Sequence, residues 1–204
     1  DYLVLKSALA ADESDDRAHY YLGNWLYDKK RYDDAIRHWE ASRSLNDAYP
    51  IVHRNLALAY YNKRNDPQAT LASLERAYAL QPTDARIFYE LDQLHKKIGT
   101  PPSERHARLE RHFRLVQERD DLYVEYVTLL NTLGRHQEAI AAMNARKFHP
   151  WEGGEGKITA QHVFAHVELA KLAIQEGRNA DAIDLLQQAL TYPENLGEGK
   201  LAGA

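Results

Sequence analysis

Residues 18–36, AHYYLGNWLYDKKRYDDAI, and residues 52–71, VHRNLALAYYNKRNDPQATL, are two copies of one pattern. Superposing Leu22-Gly23 on Leu56-Ala57 sets the copies 34 residues apart. Self-similarity at such a period marks a chain built by stacking one supersecondary unit, because a single unit cannot bury its apolar face alone. Apolar residues within each copy recur at three- and four-residue spacing, so each unit is a pair of amphipathic helices. Small residues at Gly23, Ala57 and Ala35 let the two helices approach, while Leu22 and Leu56 fill the groove between them.

The pattern extends outward from these copies. Gly134-Arg135-His136-Gln137-Glu138-Ala139-Ile140 and Gly177-Arg178-Asn179-Ala180-Asp181-Ala182-Ile183 are one turn-and-restart written twice. The glycine stops one helix and an acidic residue favours the start of the next. Gly99 takes the same turn position, and Lys30 and Arg64 replace the glycine in the first two copies. Ala170 repeats the small residue of the first helix. Ala139 and Ala182 repeat that of the second, as does Thr70 after a one-residue insertion in the turn, and Leu91 and Leu169 repeat the groove leucine.

On these residues the chain resembles the tetratricopeptide repeat family, whose unit is a pair of antiparallel helices. The resemblance implies an all-α fold, a right-handed superhelix (α-solenoid) of about five helical hairpins forming a single domain over 1–204. Residues 1–13 read as the end of a preceding repeat, with Ala8 at its small position. Repeats one to three fall at about 16–48, 50–82 and 84–119, within 16–119. Repeats four and five fall at about 120–148 and 159–192, within 120–192, and 193–204 reads as a connector to a further repeat of a longer protein. Repeat three diverges: Pro101-Pro102 lengthens its turn, and Leu109, Phe113 and Val116 keep helical spacing beyond it.

Composition narrows the function. The formal net charge of −4 lacks the basic stripe of a duplex nucleic-acid binder. No apolar run approaches a membrane span. The chain has no cysteine, which excludes disulfide frameworks, zinc-thiolate sites and cysteine nucleophiles and fits a cytoplasmic setting. The run Glu104 to Arg119 is basic, but Glu104 with Arg108 and Glu110 with Arg114 stand at i,i+4, as on a solvated charged face.

The first helices of the stacked hairpins line the inner face of such a fold. By register these positions carry Arg17, Tyr20, Asn24 and Tyr27 in repeat one, and Arg54, Asn55, Leu58, Tyr61 and Asn62 in repeat two. Repeat three adds Arg86, Tyr89, Gln93, Lys96 and Lys97. Tyr20, Asn24, Tyr27, Arg54, Asn55, Tyr61, Arg86 and Tyr89 are the candidate binding residues, a wet, adaptable surface suited to a protein or peptide. Chaperone-binding members of the family hold a peptide's terminal carboxylate in a basic and amide clamp. Asn24, Asn55 and Arg86 match three of its parts, whereas Tyr20 and Glu90 stand where it has basic residues.

Gly-Glu-Gly-Lys occurs twice, at 154–157 and 197–200, each time after the second helix of a hairpin. A P-loop needs a glycine five before Gly-Lys and a hydroxyl after it. Trp151 and Ile158 in one copy, and Glu194 and Leu201 in the other, fail both tests. Trp151, Glu152, Glu155, Lys157, Glu198 and Lys200 remain a candidate loop rim, either sugar-facing or merely connecting. His162 and His166 have zinc-pair spacing but no intervening glutamate. With His19 and His53, His166 shares a packing position, so no metal, cofactor or catalytic residue is expected.

A narrower resemblance rests on HPWEGGEGKITAQHVFAHVELAKLA and YPENLGEGKLAGA. These segments are similar to the C-terminal repeats of a bacterial family in which an aldose-epimerase-like β-sandwich domain precedes the helical array. That resemblance implies a non-catalytic scaffold docking a carbohydrate-related domain of the same polypeptide. Carbohydrate contact through the glycine-rich loops and peptide capture in the groove are the alternatives.

Overall fold

Two sequence signals start helices in the first three repeats. Asp15, Asp66 and Asp84 accept hydrogen bonds from the backbone N–H groups of Ala18, Ala69 and Ile87, satisfying donors that a helix leaves open at its first turn. Pro50, Pro67 and Pro102 stand in first turns, where a missing N–H is harmless. Left-handed residues end the hairpins' first helices: Gly99, Gly134 and Gly177 have φ of +81°, +75° and +75°.

The computed structural model describes residues 2–149 and 156–196, and among these it is all-α, without a strand. The chain divides into two compact units, Asp1–Gly99 and Thr100–Ala204. The boundary falls in the divergent third repeat, beside Pro101-Pro102. Unit 1 contains α1 (Tyr2–Ala11), α2 (Asp16–Asp28), α3 (Tyr32–Leu45), α4 (Pro50–Ala59), α5 (Pro67–Leu80) and α6 (Ala85–Lys97). Unit 2 contains α7 (Pro102–Arg111), α8 (Phe113–Glu118), α9 (Asp120–Thr132), α10 (His136–Asn144), α11 (Lys157–Gln175) and α12 (Asn179–Ala189).

In unit 1, α2 with α3 and α4 with α5 are the hairpins of repeats one and two. Leu22, Leu26, Ile36, Trp39, Val52 and Leu56 form their shared core, with Tyr2, Leu5 and Leu9 of α1 packed on it. Gly23 marks the closest approach: a Cβ there would lie 2.5 Å from the Trp39 ring. Ala57, Leu74, Leu91 and Leu94 continue the core into α6. In unit 2, Leu109, Leu122, Leu130, Met143 and Phe148 are buried, and Ala170, Ala173 and Ala182 let α11 and α12 close.

Four details differ from the sequence expectation. In repeat two the left-handed turn residue is Asn65 (φ +50°), not Arg64. The extra residue is absorbed as a π-helical turn over Tyr60–Arg64. The second helix of repeat three breaks at His112 into α7 and α8, so Leu109 and Val116 are both buried but lie on separate helices. The basic run is not wholly solvated, because the side chain of Arg105 is 5% exposed and donates to Glu125 Oε2 at 2.9 Å. The last hairpin begins at Lys157 rather than 159, with Gly156 (φ +77°) as its N-cap.

Candidate functional site

All eight inner-face candidates lie in unit 1; the structure ties six of them into two groups and places Tyr61 and Tyr89 in a cleft. The first is an amide-and-indole network. Trp39, reaching across from α3, donates from Nε1 to Asn24 Oδ1 at 3.0 Å and to the Tyr20 carbonyl at 3.2 Å. Asn55 Nδ2 donates to the same Asn24 Oδ1 at 3.0 Å, linking α2, α3 and α4. Tyr20 packs edge-on against Tyr49, and Tyr27 lies against Tyr32 and Trp39. One amide oxygen thus takes donors from both neighbouring helices, so the asparagine positions are set by the fold rather than left to a ligand.

The second group is an ion pair. Arg54 on α4 grips Glu90 on α6 with both arms, Nε to Oε2 at 2.8 Å and Nη2 to Oε1 at 2.5 Å. Both side chains are largely sheltered, 12% and 19% exposed, where a two-armed pair of this kind is held strongly. Arg86 adds a longer contact to Glu90 Oε1 at 3.5 Å. Glu90, which stands where the clamp has a basic residue, is therefore the carboxylate that engages both Arg54 and Arg86.

Between the π-helical turn and α6 opens a cleft of about 220 Å³, floored by Ala57, Thr70, Leu74 and Leu94. Leu58, Tyr61, Asn62, Tyr89, Glu90, Gln93 and Lys97 line it. Lys97 Nζ sits 4.4 Å from the centroid of the Tyr61 ring, a cation–π contact that leans the lysine onto one wall. Gln93 Nε2 is buried with no acceptor. Nearby, the buried Tyr60 donates its hydroxyl to Glu40 Oε1 at 2.7 Å. Burial and that bond push its pKa up to about 12, so it stays neutral. Tyr61 and Tyr89 meet in this cleft, while Tyr20 and Tyr27 do not reach it.

Of the loop rim, Lys157 is the one member within the described residues. Trp151, Glu152, Glu155, Glu198 and Lys200 lie outside them. The described flanks of the two loops are joined within unit 2. Phe148 N–H donates to the Asn195 carbonyl at 2.7 Å, and Asn195 Nδ2 donates to the carbonyls of Met143 and Arg146, both at 2.8 Å. Asp120, at the start of α9, holds Arg146 and accepts from the His149 N–H at 2.9 Å. Sequence reading missed Asn195 and Trp39, whose roles depend on partners distant in the chain.

The histidines act as packing and capping groups. His19 and His53 place Nε2 at 3.1 Å and 2.9 Å from the carbonyls of Glu13 and Asp47, each six residues back, closing equivalent turns. His162 Nε2 lies 3.1 Å from both the Gln188 and Thr191 carbonyls at the end of α12. Among the described residues no three histidine, cysteine or acidic side chains gather around a common metal position.

Residues 16–49 match the tetratricopeptide repeat family, and the described residues around them form an all-α helical repeat. The chain is similar to YrrB, described as a tetratricopeptide repeat protein with an unusual peptide-binding site: 15% identity over 91% of this chain and 90% of that one, TM-score 0.62. It is also similar to PilF of Pseudomonas aeruginosa, at 19% identity over 95% and 83% of the two chains, TM-score 0.59. A MamA protein matches at 18% identity over 86% and 90%, TM-score 0.57. At such identities these likenesses speak for the fold. Among the described residues no helix is long and apolar enough to cross a membrane.

Proposed function

We propose that this chain is a non-catalytic protein-binding scaffold, and that the inner face of unit 1 receives a peptide segment of its partner. The observation that carries the reading is the cleft between Tyr61 and Tyr89: an open, mainly apolar trough with amide groups at its edge. Aromatic rings supply contact area at little entropic cost, and fixed amides supply hydrogen bonds, the usual make-up of a recognition surface. YrrB, similar in fold, is described as having a peptide-binding site, which supports a peptide as the class of ligand.

The test is selection of displayed random peptides against the whole chain. Selected peptides are expected to lose binding about tenfold or more when Leu58→Asp places a charge in the trough. Failure to select any peptide, or equal binding by this variant with its helical circular dichroism intact, contradicts the assignment.

The linked flanks at 143–149 and 192–196 favour a second reading for unit 2, in which this edge docks a folded domain, including one of the same polypeptide. A sugar-facing role for the loops belongs to the same reading. Titration of the chain with the domain encoded beside it, expressed separately, is expected to show binding that Asn195→Ala weakens. Absence of binding removes the docking role, and identical glycan-array profiles for the protein and its Trp151→Ala variant remove the sugar role.

A further inference from the structure

The charge state of the unit 1 groove says which part of a peptide it reads. This inference rests on the groove proposed above. A site that captures a chain terminus must keep cationic donors free for the carboxylate. Here Arg54, the most sheltered cation of the groove, is closed on Glu90 by two short hydrogen bonds, and Arg86 leans on the same carboxylate. Removing Arg54 from that pair would leave the sheltered Glu90 with only the longer contact from Arg86, a loss a ligand would have to offset. Asn24 is likewise engaged, its oxygen taken by Trp39 and Asn55. Lys97 is turned onto the Tyr61 ring.

The cleft itself is lined mainly by uncharged side chains, with Glu90 and Lys97 its charged members. Leu58, Tyr61 and Tyr89 offer apolar surface, and the cleft volume of about 220 Å³ is of the order of one large side chain. Beside it, Gln93 carries a side-chain N–H group with no acceptor. A buried donor left unpaired is destabilising, a cost that an incoming carbonyl would recover. Gln93 itself lines the cleft, so a carbonyl seated there lies beside this amide. An amide carbonyl of a main chain is the neutral acceptor that every internal peptide segment supplies.

We infer that the groove takes an internal, extended segment of its partner, anchored by one large uncharged apolar side chain between Tyr61 and Tyr89, with an adjacent main-chain carbonyl received by Gln93. A free terminal carboxylate contributes nothing to recognition. A charged residue at the anchor position is disfavoured, because the apolar walls would desolvate it while Glu90 is closed on Arg54 and Lys97 is turned onto Tyr61.

The experiment uses synthetic peptides of the selected sequences, made with free and with amidated C-termini, titrated into the whole chain. Affinities for the two forms are expected to agree within about twofold, and Asp or Lys at the anchor is expected to weaken binding about tenfold or more. Gln93→Leu, which keeps the side-chain volume and removes the donor, is expected to weaken both forms about fivefold or more. A positive arm guards against a passive result. Glu90→Gln releases Arg54, and this variant alone is expected to prefer the free carboxylate.

Tighter binding of the free-acid form by the unaltered protein overturns the inference while leaving the groove assignment standing. So does indifference to Gln93→Leu. Peptides that bind but ignore Leu58→Asp overturn the groove assignment itself, and the inference with it.

Discussion

Gly23 and Lys30 show how closely single residues are specified in the first hairpin. The Trp39 ring occupies the space that a Cβ on Gly23 would need, at 2.5 Å. Because the ring is buried and its N–H is held by Asn24 and Tyr20, it cannot swing aside. Gly23→Ala is expected to destabilise the chain by about 1–3 kcal/mol in urea unfolding, the range for overpacking a core. Lys30 is the opposite case, a residue with a side chain held at φ +61° where the later turns use glycine. Lys30→Gly is expected to stabilise by about 1 kcal/mol, because the left-handed conformation is strained for any residue bearing a Cβ. An unchanged midpoint for either variant contradicts the corresponding account. Both positions were legible from the repeat pattern, which marks small residues and turn residues by recurrence. The partner of Gly23 was not, since nothing local says that Trp39 crosses to it.

At the level of elements, the ends of helices decide more than their middles. The π-helical turn over Tyr60–Arg64 takes up the residue inserted before Thr70, and it carries Tyr61 on the cleft. The alignment revealed the extra residue but could not say which turn would widen, because either side of the connection can absorb it. In unit 2, α12 is fastened at its C-terminal end by His162 and the loop beyond it by Asn195. Asn195→Ala removes two side-chain hydrogen bonds and is expected to lower stability by about 1–3 kcal/mol, with faster amide exchange at Phe148. Burial holds the pKa of His162 below its ordinary 6.5, so the folded chain binds fewer protons there than the unfolded chain in mildly acid solution. The contribution of His162 is therefore whole above that ordinary value and is lost as the pH falls through and below it. Between about pH 7.5 and about pH 5.5 the unaltered chain is expected to lose more stability than His162→Gln, as read by urea midpoints. Equal losses would contradict that role for His162.

For the molecule as a whole, repetition made the architecture readable and kept the site half hidden. Periodic apolar and small residues belong to the fold, and each recurs often enough to be recognised from one chain. Arg54, Asn55, Tyr61 and Tyr89 were readable as inner-face residues for the same reason. Their states were not readable. Whether Arg54 is free to bind an anion depends on Glu90, 36 residues away. Side-chain pairing across stacked repeats is set by rotamers that periodicity does not encode. Of the clamp positions that the register suggested, Asn24 and Asn55 are bonded to each other and Arg86 contacts Glu90, the carboxylate that Arg54 holds.

The central claim is that the inner face of unit 1, at the cleft between Tyr61 and Tyr89, is where this scaffold holds its partner. Hydrogen exchange of the whole chain, with and without a saturating selected peptide, tests it most directly. The expected result is slowed exchange concentrated in residues 54–64 and 86–97, with unit 2 unchanged. Protection confined to residues 143–149 and 192–196, or spread without preference over both units, would contradict it.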